Sequence, residues 1–181
     1  MSKNLILAVL VIGAAAPSVL GQTPAPRTPS PPAINAPLEL RVTAVDGSEI
    51  DLSKLRGKVV LLDFWGTWCP PCRASVPALR DLNKRYAKES AFVMIGIASE
   101  NEAEPWRAFT TENKMVWPQY LDKERKIVRV FNVRAFPTYI VIDHEGIIRF
   151  RSIGTSWERS GNLDEIIRKQ VKIVAKSTVG E

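Results

Sequence analysis

The amino-acid sequence predicts an α/β domain with a mixed central sheet flanked by helices, and three patterns carry this prediction. Two continuous apolar runs, at 58–65 and 92–98, are typical of strands that are covered on both faces. Helical spacing follows the first run, and a strand–turn–strand pattern occupies 138–153. Strands that alternate with helices and end in a hairpin give a sheet with both parallel and antiparallel pairs.

Residues before the domain read as an export signal and a spacer. Lys3 precedes an apolar core from Leu5 to Ala16, as in a secretory signal within 1–21. Gly13 and Pro17 interrupt the apolar run of about 20 residues that a membrane-spanning helix wants, yet residues 5–20 could also stay as an uncleaved membrane anchor. The proline-rich residues 22–37 favour extended conformations and indicate a semi-rigid linker. Either way, we expect an exported, periplasmic or extracytoplasmic protein.

The domain itself is expected to cover 38–175, with a flexible tail at 176–181. A hairpin is predicted first, with strands at 40–45 and 48–52 around the turn dipeptide Asp46-Gly47. The strand at 58–65 leads into a helix at 71–88, and the strand at 92–98 into a helix with Pro105 in its first turn. A short strand at 117–121, a brief helix capped by Asp122, the second hairpin and a final helix from Gly161 or Asn162 complete the domain.

The charge distribution argues against a nucleic-acid-binding function. The chain carries 25 Lys and Arg against 19 Asp and Glu, a net charge of +6. These cations are spread along helical segments, and the sequence does not set stacking aromatic residues beside a basic groove. Solvated helix faces therefore explain the excess, and a weak preference for acidic partners or anionic lipid surfaces is all that it implies.

The two cysteines of the chain, Cys69 and Cys72, lie in the stretch FWGTWCPPCRASVP, directly after a buried strand. The start of a helix offers unpaired amide donors and a partial positive charge, which stabilise a thiolate. In such motifs the pKa of the first cysteine falls from about 8.5 to roughly 3.5–7.5. Cys69 is therefore the expected nucleophile, and Cys72, more buried, would resolve the mixed disulfide. Pro70 and Pro71 stiffen the turn, withhold amide donors and bias the redox poise.

Other uses of the cysteines fit the residues less well. A structural zinc site needs four ligands, and the chain offers two cysteines and the single His144, which lies in a predicted turn. A staple across so short a loop removes little chain entropy. A peroxiredoxin-type thiol peroxidase and a copper-delivery module remain as alternatives to disulfide exchange. We expect no metal and no cofactor beyond the cysteines, and we interpret three tryptophans as packing residues: Trp106, Trp117 and Trp157.

Two motifs together give a specific resemblance. FWGTWCPPCRASVPAL after a buried strand, and Phe136-Pro137-Thr138 before another, resemble the active site and the cis-proline segment of the thioredoxin superfamily. The export signal, the leading hairpin, the stretch DLSKLRGKVVLLDFW and an inserted helix and strand narrow this to the TlpA/ResA-like exported thiol–disulfide oxidoreductases, over about residues 38–174. The resemblance implies a thioredoxin-like fold and a redox-active disulfide. It further implies protein thiol or disulfide substrates, a membrane thiol-reducing electron donor, and work as a reductant in cytochrome c maturation or disulfide repair.

The resemblance also assigns roles to residues of the site. Cys69 would attack and Cys72 would resolve, with Trp68 packed beside the disulfide and Pro137 facing it after a cis bond. Pro137 has no N–H to donate, and its cis bond would turn the preceding backbone toward the sulfurs. Phe136 could then pair with an extended substrate segment.

Two positions depart from the pattern of the relatives. Many of them carry a glutamate where this chain has Ser75, which we interpret as an ordinary helix residue. Conversely, Asp63 matches the buried aspartate of thioredoxins proper. Burial should raise the pKa of Asp63, so that it can accept the proton of Cys72. A hydrogen-bonded aspartate with a purely structural role is the alternative.

Overall fold

The computed structural model describes residues 41–43 and 49–179. Within these ranges the strands are β1 (Arg41–Thr43), β2 (Glu49–Asp51), β3 (Val59–Trp65), β4 (Phe92–Ala98), β5 (Gln119–Leu121), β6 (Thr138–Ile142) and β7 (Ile148–Ile153). The helices are α1 (Pro70–Tyr86), α2 (Ala103–Glu112), α3 (Lys126–Val130), α4 (Ser156–Ser160) and α5 (Asn162–Val179), and a 3₁₀ helix occupies Leu52–Leu55.

Five strands form the central sheet in the order β5-β4-β3-β6-β7. β3 pairs in parallel with β4, and β4 in parallel with β5, whereas β6 pairs antiparallel with both β3 and β7. The sheet is therefore mixed, as the sequence predicts. β3 lies at its centre and all seven of its residues are buried, which agrees with its mostly apolar sequence.

The two faces of β3 belong to two separate apolar clusters, because successive side chains of a strand point to opposite faces. Leu61 and Trp65 pack with the apolar residues of α1 and α5 and with both cysteines. Leu62 and Phe64 pack on the other face with apolar residues of α3. The sheet is thus covered on both sides, and the face that carries the odd-numbered residues of β3 is the one beneath the cysteines.

The first hairpin is confirmed as an antiparallel pairing of β1 with β2. Its predicted turn, Asp46-Gly47, lies outside the described residues, and so do the expected signal and linker. Among the helices that the structure describes, none is long and apolar enough to cross a membrane.

Two of the helix boundaries that differ from the prediction are the start of α3 and the end of α5. α3 begins at Lys126, so the residue at its N-cap position is Arg125. The expectation that Asp122 occupies this position is wrong. The Asp122 carboxylate nevertheless accepts the N–H of Val128, in the first turn of α3, at 2.8 Å. A carboxylate can satisfy a first-turn amide from outside the helix when an intervening turn brings it back. At the other end of the chain, α5 continues to Val179, past residue 175 where the domain was expected to end.

Candidate active site

The two cysteines form a disulfide bond where the chain passes from the end of β3 into the start of α1. Their Cα atoms lie 5.3 Å apart. Cys69 precedes the first turn of α1, and its Sγ accepts the N–H of Cys72 at 3.3 Å. Since the amino end of a helix carries unpaired donors and a partial positive charge, this placement favours a thiolate at Cys69 over one at Cys72.

Solvent reaches the neighbours of the disulfide more readily than the sulfur-bearing residues. Cys69 is 3% exposed and Cys72 is 2% exposed, so Cys72 is the more buried of the two, as the sequence predicts, but by a margin of only 1%. Pro70 and Pro71 are exposed, and Trp68 is 57% exposed. A partner that reaches the disulfide must therefore contact this apolar rim.

The loop that leads into the cysteines is held by residues at the end of β4. The Trp68 indole N–H donates to the backbone carbonyl of Ser99 at 2.9 Å. The N–H of Thr67 donates to the Glu100 carboxylate. Sequence reasoning missed Ser99 and Glu100, although the register carries a signal: parallel pairing of β3 with β4 brings the residues that follow both strands to the same edge of the sheet.

The cis-proline segment lies at this same edge. The Phe136–Pro137 peptide bond is cis, as the resemblance implies. Thr138 opens β6 opposite Phe64, so Pro137 comes next to the end of β3 from which the cysteine loop leaves. Pro137 and Thr138 are buried, whereas Phe136 is half-buried.

Phe136 connects the proline segment to the rim of the site. Its ring stands edge-on to the ring of Trp68, with centroids 5.3 Å apart and an interplanar angle of 81°. The guanidinium of Arg125 lies over the Phe136 ring, 5.9 Å from its centroid. Such edge-to-face and cation–π contacts fix aromatic rings in place while leaving part of their surface open. The rim around the disulfide is therefore aromatic with one cationic side.

Asp63 lies on the face of β3 that points toward the cysteines and α1. Asp63 is 1% exposed, and burial raises the pKa of its carboxyl group from 3.8 to about 8. Neither carboxylate oxygen has a hydrogen-bond partner among the described residues. This environment differs from that of the hydrogen-bonded structural aspartate considered as the alternative, and it matches the predicted raised pKa.

Ser75 is buried beneath Cys72 and contacts Tyr139 of β6. Its hydroxyl donates to the Cys72 carbonyl at 2.9 Å and lies 2.9 Å from the hydroxyl of Tyr139. Burial is the main cause that raises the pKa of Tyr139, and the negative charge of Asp63 adds to it. Sequence reasoning missed Tyr139, because its position in the apolar run of β6 reads as an ordinary core residue.

The remaining candidates take structural places. The three tryptophans expected to pack are buried: Trp106, Trp117 and Trp157. His144 lies between β6 and β7, where its carbonyl accepts the N–H of Gly57 at 2.9 Å. Within residues 41–43 and 49–179, no group of three His, Cys, Asp or Glu side chains is placed to hold a metal ion.

A cystine at the start of a helix after the central strand, beside a cis-proline that opens an antiparallel strand, defines a thioredoxin-fold thiol–disulfide oxidoreductase. The protein is such an enzyme. The chain belongs to the Redoxin family, whose model matches residues 14–167.

Individual relatives agree with this assignment. The chain is 35% identical over 118 residues to the thioredoxin-like protein YneN of Bacillus subtilis, covering 65% of this chain and 69% of the relative. It is 33% identical over 127 residues to the thiol-disulfide oxidoreductase ResA of Bacillus cereus, covering 69% and 73%.

Solved structures are similar in fold. A thiol-disulfide oxidoreductase from Bacteroides fragilis superposes with a TM-score of 0.61 at 26% identity, over 70% of this chain and 96% of that one. A thiol:disulfide interchange protein from Chlorobium tepidum superposes with a TM-score of 0.63 at 24% identity, over 82% and 99%.

Proposed function

We propose that the protein is an exported reductant that uses the Cys69-Pro-Pro-Cys72 couple to reduce disulfides of other proteins, in cytochrome c maturation or disulfide repair. The observation that carries the direction is the poverty of donors around Cys69. The first two residues of α1 are Pro70 and Pro71, which have no N–H. Of the amides in that first turn, the one that reaches the Cys69 sulfur is therefore that of Cys72.

Fewer donors mean a less stabilised thiolate, and two further features act in the same direction. Cys69 is almost fully buried, and burial raises the pKa of a thiol. Asp63 lies on the same face of β3, and once it is ionised, above its raised pKa of about 8, its negative charge disfavours a second one. A couple whose dithiol form is poorly stabilised holds its disulfide more firmly and so acts as an electron donor.

The proposed reaction moves two electrons between sulfur atoms. The Cys69 thiolate attacks a substrate disulfide, forms a mixed disulfide and releases one substrate thiolate. Cys72 then loses its proton to Asp63 and attacks the Cys69 sulfur, which releases the second substrate thiol and leaves the Cys69–Cys72 disulfide. The substrate gains two electrons and, with protons from solvent and from Cys72, two thiols.

A reductant of this kind must be recharged after each cycle. We propose a membrane thiol-reducing protein as the electron donor, which reverses the exchange and restores both thiols. The exchange needs no cofactor other than the cysteines, because sulfur atoms carry both the bond changes and the electrons. The export proposed from residues 1–21 supports this assignment, since an exported thiol needs a supply of electrons across the membrane.

The reduction potential of the purified protein tests the direction. Equilibration with dithiothreitol and glutathione buffers, followed by thiol alkylation and mass spectrometry, should give a potential at or below that of thioredoxin, about −270 mV. A potential above that of protein disulfide isomerase, about −180 mV, would instead make the protein an oxidant or isomerase.

Cysteine variants test the roles within the couple. Cys69→Ser should abolish dithiol-driven insulin reduction, whereas Cys72→Ser should accumulate mixed disulfides through Cys69. Normal turnover by Cys72→Ser without trapped substrate would show that the two roles are assigned wrongly.

A further inference from the structure

Three residues on neighbouring strands form a row across the central sheet. In the parallel register, Asp63 of β3 lies opposite Gly96 of β4, and Gly96 lies opposite Gln119 of β5. Aligned residues of parallel strands point to the same face. Since adjacent strands are about 4.8 Å apart, the Cα atoms of Asp63 and Gln119 are separated by about 10 Å, with a residue that lacks a side chain between them.

The side chain of Gln119 fills the space above Gly96. A Cβ atom built on Gly96 would lie 2.6 Å from Cδ and 2.7 Å from Nε2 of Gln119. Real Cβ atoms do not approach other atoms so closely, and the amide therefore depends on glycine at this position. Because Gln119 leans over β4, its amide comes one strand spacing from the carboxyl group of Asp63.

Trp65 determines which end of that amide is available. The Trp65 indole N–H donates to Oε1 of Gln119 at 3.1 Å. An indole N–H can only donate, so its partner must be the amide oxygen of Gln119 and not the NH₂ group. The NH₂ group is consequently left for a different partner.

Two complementary groups are then left buried on one face of the sheet. Within the described part of the chain, neither Nε2 of Gln119 nor either carboxylate oxygen of Asp63 has a hydrogen-bond partner. Buried polar atoms without partners are uncommon, and many are satisfied by a small rotation or by an enclosed water molecule. Here a donor without an acceptor faces an acceptor without a donor across Gly96.

We propose that Gln119 is a positioning residue for Asp63, and that its amide NH₂ donates a hydrogen bond, directly or through one buried water molecule, to the Asp63 carboxylate. This inference rests on the proposed role of Asp63 as the proton acceptor of Cys72. A donor to the charged form favours that form, so Gln119 counteracts desolvation and keeps more of Asp63 ionised near neutral pH.

Few other groups act on Asp63 from the elements packed against it. β6 contributes Tyr139, whose pKa the charge of Asp63 raises. α1 contributes Cys72 together with the neutral hydroxyl of Ser75, β4 contributes Gly96, and α5 packs on the same face through the apolar Leu163 and Ile167. Among the described residues on these elements there is no cation in the row, and the amide NH₂ of Gln119 is the donor that lies in the row itself.

Titration of Asp63 in the oxidised full-length protein tests the proposal without relying on turnover. The chemical shift of the side-chain carboxyl carbon of ¹³C-labelled Asp63 gives the pKa directly. Its signal is assigned by its loss in Asp63→Asn. Gln119→Met should move the titration midpoint up by about one pH unit, the size of one hydrogen bond to a charged group. Gln170→Met, at a buried glutamine of α5, is the matched control and should leave the midpoint unchanged. An unchanged or lowered midpoint in Gln119→Met overturns the proposal.

A second variant and a second background separate this role from a structural one. Gln119→Leu removes the NH₂ group without adding a charge, so it should also raise the midpoint even if the methionine variant does not fold. In an Asp63→Asn background, Gln119→Met should not change the rate of mixed-disulfide resolution further, because both changes act through one carboxylate. A further loss of rate there would show that Gln119 acts on something other than Asp63. Full resolution activity of Asp63→Asn alone would refute the base role of Asp63, while the NMR result on Gln119 would stand.

Discussion

The hydroxyl of Ser75 lies 2.9 Å from the hydroxyl of Tyr139, and this contact joins α1 to β6 directly beneath the active-site cystine. Both residues are fully buried. Ser75 stands where the resemblance to TlpA/ResA-like proteins leads one to expect a glutamate, and here two hydroxyl groups meet instead. In the function proposed above, Asp63 is the group that accepts the proton of Cys72.

Removing one member of this pair should cost stability unequally. Ser75→Ala takes a partner from the buried Tyr139 hydroxyl and should lower the free energy of unfolding by about 1–3 kcal/mol. Tyr139→Phe should cost about 1 kcal/mol, because the Ser75 hydroxyl still donates to the Cys72 carbonyl. Urea unfolding of the oxidised protein measures both. Ser177→Ala, at an exposed hydroxyl of α5, is the control, and equal stability of all three variants would refute the buried contact.

The buried carboxyl of Asp63 should make stability depend on pH. Its pKa in the folded protein is about 8, against 3.8 in an unfolded chain, so between these values the folded state binds the proton more tightly. Stability should therefore be highest near pH 4 and fall as the pH rises toward 8. Asp63→Asn should remove this fall, so that it gains stability relative to wild type with increasing pH. If the free energy of unfolding, measured with urea, changed with pH in the same way for both proteins from pH 4 to 8, Asp63 would not titrate in this range.

Asp63 should also govern the resolving step of the reaction. In wild type, the release of substrate from the mixed disulfide should speed up with pH until Asp63 is ionised, near pH 8. Asp63→Asn should slow this step about 100-fold near neutral pH, the scale of general-base catalysis, and spare the first attack by Cys69. Adding Ser75→Glu should restore part of the rate. Stopped-flow kinetics from pH 6 to 9 separate the two steps, and identical profiles for Asp63→Asn and wild type would leave Asp63 a structural residue.

The contact between Glu100 and Thr67 should be needed to hold the cysteine loop. Glu100→Ala frees the Thr67 N–H that its carboxylate accepts, and the loss of a hydrogen bond to a charged group should cost about 1.5–3 kcal/mol. We expect a lower kcat/KM for insulin reduction as well, because the loop that presents Trp68 and Cys69 loses an anchor. Glu102→Ala, at an exposed glutamate that makes no capping hydrogen bond to α2, should change neither quantity. Equal effects of the two variants would contradict an anchoring role for Glu100.

Sequence patterns were sufficient where the signal is local. The apolar run around Asp63 predicts both its burial and its raised pKa, and the spacing of the cysteines after that run predicts their place at the start of α1. The cis bond before Pro137 was expected from the resemblance to the thioredoxin superfamily and not from the local pattern alone.

Contacts between distant segments were not predictable in this way. Ser75 contacts Tyr139, 64 residues away. Gln119 lies over Gly96, in the same row of the sheet as Asp63. In both cases the folded arrangement of the strands decides which side chains become neighbours. The start of α3 was misplaced for a related reason: the Asp122 carboxylate folds back onto Val128 through an intervening turn that no periodicity announces.

The two edges of the central sheet have a consequence for solubility. β5 offers a backbone edge of only three residues. On the opposite edge, β7 exposes Arg149 and Arg151, with Arg149 paired to Asp143 at 2.5 Å. Short and charged edge strands resist pairing with a second copy of the same chain. The protein can therefore keep an open aromatic rim around its cystine for visiting partners without its sheets joining edge to edge into fibrils.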